Sequence, residues 1–211
     1  FSVKFMYISH SKPYINEELI SDIANQVQKG HLARGEQTGK FEQQLSSYLH
    51  NNKIFLTSSG TAAIYLALKT IDLQQGDEVI LPTYVCASVA HAVKLAGGIP
   101  VLCDIGDHWV MRTTDVKPLI SSRTKAIIVV HIFGINAGAS DFKKFGITLI
   151  EDCCQCFIDK IGNKMIGKEA DFVTYSFHAT KCLTTGEGGA LTGHNPNLLD
   201  RLINLYQSYK C

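Results

Sequence analysis

KIFLTSSGTAAIYLALKTI, residues 53–71, decides how the rest of the chain is read. KIFLT is an apolar, strand-like run, GTAAIYLALKTI is an apolar helix, and small hydroxylated residues join them. A strand that feeds a helix through a short turn is the repeating unit of α/β folds. Outward from this unit the alternation continues. DEVILP is strand-like, and CASVAHAVKLA is helical and stopped by Gly97-Gly98. IPVLCDI, TDVKPLISS, KAIIVVHIF, ASDFKKFG and ITLIED follow as strand, short helix, strand, helix and strand. DFVTYSF and GGALTG are two more strands, and NPNLLDRLINLYQSY is a closing helix. On the N-terminal side, residues 16–29 place Leu19, Ile20, Ile23 and Val27 at helical spacing, with Gly30 as the stop. Phe41 to Leu49 reads as a second helix after the glycine-bearing stretch GHLARGEQTG. Apolar, β-branched strands alternating with helices predict an α/β fold with a mostly parallel sheet covered on both faces.

Composition agrees with a folded core. The chain has 211 residues, 45% hydrophobic and 18% charged, and no repeat or low-complexity tract. A formal net charge of +1 provides no footprint for nucleic acid or for an anionic membrane. No apolar run approaches a membrane span, and FSVKFMYIS is too short and mixed for a signal peptide. Seven cysteines, an odd count, lie scattered in apolar segments, as expected of reduced thiols in a cytoplasmic protein. EDCCQCF carries Cys153, Cys154 and Cys156, but without the two-residue spacers of a zinc knuckle or a nearby His pair. Small core residues are the reading there, and no metal is expected.

In such sheets chemistry gathers at the carboxyl ends of strands. Three ends carry polar groups. TSSGTAA offers hydroxyls and helix-start amides at Ser58, Ser59, Gly60 and Thr61, which suit either a helix cap or a phosphate. ITLIEDCCQ ends on Glu151 and Asp152, two carboxylates that are costly at an apolar strand unless paired, capping or facing a cationic ligand group. SFHATKCLTTGEGGALTG, residues 176–193, sets Ser176, His178, Thr180 and Lys181 in a small-residue loop between two strands. Burial of a lysine amine favours its neutral, nucleophilic form, and such amines make Schiff bases with carbonyls. His178 is equally a packed histidine or a hydrogen-bond partner of a phosphate or ring oxygen. A phosphate cradle, an acid and an amine are together what pyridoxal phosphate requires.

At this point the residues resemble a known family. SKPYI, GHLARGEQTGKFE, TSSGTAAIYLAL, GDEVILPTYV, GGIPVLCDI, TKAIIVVHIFG, IEDCCQ and SFHATKCLTTGEGGAL occur in the order found in the DegT/DnrJ/EryC1/StrS sugar aminotransferases. The resemblance implies the three-layer αβα large domain of pyridoxal-phosphate transferases. Residues 1–40 would be an N-terminal helix and arm and residues 41–211 that cofactor-binding domain, with the small C-terminal domain absent. It implies Lys181 as the cofactor-bearing lysine and proton carrier, and Asp152 as the acid on the pyridine nitrogen. Gln155 would lie near the ring hydroxyl, Gly60, Thr61, Ala62 and Ser176 would hold the phosphate, and His178 would complete the pocket. Lysine at position 181 separates the chain from the related dehydratases, which carry histidine there. Cys86 stands where many relatives stack an aromatic ring, a role Tyr84 would otherwise supply. The substrates implied are a nucleotide-linked keto-sugar and an amino acid, glutamate above all. The assembly implied is a homodimer or a complex with a C-terminal fragment, since relatives continue well beyond Cys211. Leu198, Leu199, Leu202, Ile203, Leu205 and Tyr206 on the closing helix would then face a partner, or else pack back on the sheet.

Overall fold

The computed structural model describes residues 8–50, 53–157, 160–161, 164–168 and 170–208. Its centre is a sheet of β1 (Phe55–Thr57), β2 (Glu78–Pro82), β3 (Ile99–Cys103), β4 (Thr124–Val130), β5 (Thr148–Asp152), β8 (Phe172–Ser176) and β9 (Gly189–Gly193). The spatial order is β1-β9-β8-β5-β4-β2-β3. Strands β3, β2, β4, β5 and β8 run parallel, and β9 is antiparallel to both β8 and β1. A two-stranded hairpin, β6 (Lys160–Ile161) with β7 (Lys164–Met165), stands apart and was not anticipated from the sequence.

The helices cover the sheet because their apolar faces do. α3 (Gly60–Thr70) buries Ala63, Ile64, Ala67 and Leu68 almost completely. Together with α4 (Ala87–Leu95) and α6 (Pro196–Ser208) it closes one face around Val79, Leu81, Ile128, Ile150 and Phe172. The other face carries α5 (Thr113–Val116) and 3-10 turns at Lys117–Leu119 and Ala139–Phe145, packed on Ile80, Ile127, Val129 and Leu149. ASDFKKFG is thus a 3-10 segment, held between left-handed Gly138 and Gly146. β2 and nearly all of β4 are buried on both sides, which is why they read as continuous apolar runs.

On α6, Leu202 is fully buried, and Leu198, Leu199, Ile203, Leu205 and Tyr206 pack against the same core. The apolar face of this helix therefore lies on its own domain. Tyr206 Oη donates to the Leu56 carbonyl at 2.7 Å and accepts from Arg34, which also pairs with Glu42. Those contacts fasten the N-terminal segment to β1.

α1 (Glu17–Gln28) is capped by Asn16, whose side chain accepts from Leu19 N–H at 2.9 Å. Its apolar residues Leu19, Ile20, Ile23 and Val27 stay exposed. α2 (Glu36–Tyr48) starts ahead of Phe41, so it runs across the expected boundary at residue 41. Its Phe41 ring meets Phe177 edge-on at 5.4 Å, and burial of Leu45 holds the helix against the sheet. That packing overrides the weak helix preference of Gly39. No helix among the described residues is long and apolar enough to cross a membrane.

Candidate functional site

Neighbours β3 and β4 lie on opposite sides of β2, so the chain order reverses there and opens a crevice at the carboxyl ends. A cavity of about 390 Å³ occupies this end of the sheet. Ser59, Gly60 and Thr61 follow β1, and Cys86 follows β2. Asp152 ends β5, Gln155 follows it, Ser176 ends β8, and the next loop supplies His178 and Lys181. Of the residues singled out from the sequence, Ser58 and Ala62 instead line a neighbouring groove with Arg34 and Tyr206, and Glu151 lies outside the cavity. Tyr84 does not line it either, so the position after β2 presents a thiol.

The turn after β1 is built for close approach. Ser59 caps α3, its Oγ accepting from Ala62 N–H at 3.1 Å. Its carbonyl takes the Ala63 N–H at 3.1 Å. Of the helix's first-turn donors, the Gly60 and Thr61 amides remain for a ligand, at the positive end of the helix dipole. Gly60 leaves no room for a side chain without displacing its neighbours: a Cβ on it would sit 2.7 Å from Cys154 Sγ and 2.9 Å from Ser176 Cβ. The same turn is shared with the lysine loop, because a Cβ on Gly189 would lie 2.4 Å from the Ser59 carbonyl carbon.

Strand alternation sends Glu151 and Asp152 to opposite faces. Asp152 faces the cavity, 3% exposed, and its Oδ1 accepts from Cys154 N–H at 2.9 Å. Glu151 is buried behind it against His131, a residue that sequence spacing did not bring forward. Ala137 N–H donates to His131 Nδ1 at 3.2 Å, so Nε2 carries the ring proton and donates to Glu151 Oε1 at 2.8 Å. Gly167 N–H donates to the same oxygen at 2.9 Å, while Glu151 Oε2 has no partner among the described residues. Cys153 completes a cluster whose donor atoms lie within 4.8 Å of one another. His131 and the Gly167 amide thus brace the Glu151 carboxylate behind Asp152 through hydrogen bonds.

The loop from Phe177 to Gly188 is closed on itself. Phe177 N–H donates to the Gly188 carbonyl at 2.8 Å, Thr185 N–H to the Phe177 carbonyl at 3.0 Å, and Lys181 N–H to the His178 carbonyl at 2.9 Å. Thr180 N–H donates to His178 Nδ1 at 3.3 Å, and Glu187 lies 3.5 Å from Nε2. Ser11 Oγ donates to the Ala179 carbonyl at 2.9 Å, which ties the N-terminal arm to the lysine loop. Half-buried Lys181 therefore projects from a fixed frame into the cavity opposite Asp152 and the Ser59 turn.

The thiols divide by environment. Cys86 is exposed at the start of α4 and accepts from Ser88 Oγ at 3.1 Å. Hydrogen bonding from Ser88, reinforced by the Lys181 ammonium, holds its pKa below the usual thiol value. Burial raises Cys154 and Cys153 well above that value, and raises Cys103 to about 11. Cys153 and Cys156 pack with Leu45 and Phe177 as core residues.

Known proteins resemble the chain in sequence and in fold. GDP-perosamine synthase of Escherichia coli O157:H7 is 32% identical over 198 residues, 92% of this chain and 52% of its own. Spore coat polysaccharide biosynthesis protein SpsC of Bacillus subtilis is 30% identical over 205 residues, covering 93% and 52%. A solved sugar aminotransferase of Streptococcus pneumoniae, in its PLP-form, superposes with a TM-score of 0.87 at 27% identity. It covers 95% of this chain and 57% of that one. The chain thus spans about half the length of the relatives it matches. Matched by the family model over residues 13–208, the chain belongs to the DegT/DnrJ/EryC1/StrS aminotransferase family.

Proposed function

We propose that the chain is the cofactor-binding part of a pyridoxal-phosphate-dependent aminotransferase. Its reaction moves an amino group from an amino acid, glutamate as donor, to a nucleotide-linked keto-sugar. The observation that carries this reading is the convergence of Lys181, Asp152 and the Ser59–Thr61 turn on one cavity. Curated relatives named for amination of GDP- and dTDP-linked sugars support the substrate class.

The residues present fit the cofactor. A glycine packed tightly against Cys154 and Ser176 opens the turn at a helix start, an acid stands at a strand end, and an amine lines the same cavity. When bound, pyridoxal phosphate supplies an aldehyde that condenses with amines and a protonated ring that takes up electrons. The Gly60 and Thr61 amides, with the Ser176 hydroxyl, hold the phosphate. Asp152 would keep the ring nitrogen protonated, since a carboxylate opposite a cation favours the charged form. Gln155 offers its amide to the ring hydroxyl. Lys181 would bear the cofactor through its amine and would hold and move a proton at Nζ. His178, held by Thr180, closes the mouth.

The test is the donor half-reaction. Chain loaded with pyridoxal phosphate is mixed with L-glutamate, alone and with a second chain carrying the relatives' remaining half. Stoichiometric 2-oxoglutarate in either arm is expected. No 2-oxoglutarate in both arms overturns the proposal. Product only in the second arm identifies the chain as one part of a split enzyme.

A further inference from the structure

Tyr84, Trp109 and Phe133 stand on the loops that follow β2, β3 and β4, all at the carboxyl end of the sheet. Their ring centroids are 5.3, 6.2 and 6.3 Å apart pairwise, so every ring meets the other two. Yet they are 46%, 48% and 65% exposed, so much of this aromatic cluster meets solvent. Two of the three also sit in left-handed backbone conformations, Trp109 at φ 63° and Phe133 at φ 51°. Bulky residues avoid that region, and strain of this kind is retained where a ligand or clamp requires it. At Phe133 the surrounding turn enforces it. Gly134 N–H donates to the His131 carbonyl and Ile135 N–H to the Ile132 carbonyl, while Ile132 is buried and Phe133 is turned outward.

The rings adjoin the site. Phe133 lines a second cavity of about 540 Å³ together with Gln155, Lys181 and Cys182. That cavity shares Cys154, Gln155, Ser176, Thr180 and Lys181 with the first. A molecule with its reacting carbon at Lys181 therefore reaches Phe133, beside which Tyr84 and Trp109 pack. Flat π faces beside such a site suit a planar heteroaromatic ring.

We propose that Tyr84, Trp109 and Phe133 form a stacking platform for the nucleobase of the nucleotide-linked acceptor. The proposal rests on the aminotransferase reading for the identity of the acceptor. Trp109 is the only tryptophan in the chain, so its emission reports on the platform alone. The protein, with pyridoxal phosphate added, is titrated with GDP, with dTDP and with inorganic pyrophosphate. Saturable quenching by both nucleotides and none by pyrophosphate is expected. Phe133→Ala weakens the nucleotides on the order of tenfold, as loss of one stacking face does. Phe133→Gly, which also relieves the strained backbone, weakens them equally without lowering the thermal midpoint. Quenching by pyrophosphate alone, or an unchanged affinity in both variants, overturns the platform. So does emission that changes with protein concentration before any nucleotide is added, because a second copy then covers the rings. Visible cofactor absorbance in the same samples separates the two ideas. A normal cofactor band without nucleotide quenching sinks the platform only, and quenching without a cofactor band sinks the aminotransferase reading only.

Discussion

Gly189 and Ser59 touch backbone to backbone: a Cβ added to Gly189 would stand 2.4 Å from the Ser59 carbonyl carbon and 2.6 Å from the Gly60 nitrogen. The glycine run after the lysine loop thus sets how closely β9 approaches the turn that begins α3. Gly189→Ala is expected to push the two apart. Overpacking of this kind costs about 1–3 kcal/mol of stability. Pyridoxal phosphate affinity falls with it, read by equilibrium denaturation and by cofactor titration. Unchanged affinity would separate the glycine from the cradle.

Asp152 faces the cavity and is nearly isosteric with asparagine. Asp152→Asn is expected to fold normally and to lower turnover at least about 100-fold, equivalent to ~2.7 kcal/mol of barrier. Cofactor binding and the donor half-reaction, measured separately, place the loss in the chemistry rather than in the fold.

Glu151 is braced by His131 and Gly167 in a buried setting, with Oε2 unpartnered among the described residues. His131→Ala leaves that carboxylate without its nearest donor. A loss of roughly 1–3 kcal/mol in unfolding free energy follows, as Gly167 still holds the same oxygen. Removing Arg112, exposed and paired with Asp115, changes little by the same denaturation assay.

Cys86 should be the reactive thiol of the site. Its folded pKa is lowered from the ordinary value of 9.0, first by Ser88, so the thiolate forms at lower pH than in the unfolded chain. Alkylation by iodoacetamide is expected to rise with pH with a midpoint below 9.0. Cys154 and Cys103, whose thiols burial pushes up, lag behind. Ser88→Ala shifts the Cys86 profile to higher pH, and bound pyridoxal phosphate slows the reaction by covering the thiol. Peptide mass mapping reads each site. Equal rates at Cys86 and Cys154 would contradict the assignment.

Much of this was legible in the sequence, for definite reasons. The β/α alternation from Lys53 to Gly193 is local, since burial on both faces leaves continuous apolar runs in β2 and β4. The lysine loop stood out because its small residues and glycines have no ordinary surface purpose. Less visible were features created by distant pairings. His131 meets Glu151 across two strands, and nothing in VVHIF marks that histidine as a partner of the next strand's acid. Trp109 and Phe133 adopt conformations that side-chain bulk opposes, so propensity points away from them. Helix α2 starts at Glu36 despite the glycines around it, because Phe41 and Leu45 have Phe177 and the core to pack on. On α6 the apolar face was plain, but its cover was not, since that depends on where the sheet ends.

The central claim is that Lys181 holds pyridoxal phosphate, and borohydride trapping tests it most directly. Protein incubated with the cofactor is reduced with sodium borohydride, digested and mapped by mass. The account predicts one stable pyridoxyl adduct on the peptide containing Lys181, and none at that site in Lys181→Ala. An adduct spread over surface lysines, or none on Lys181 at saturating cofactor, would contradict it.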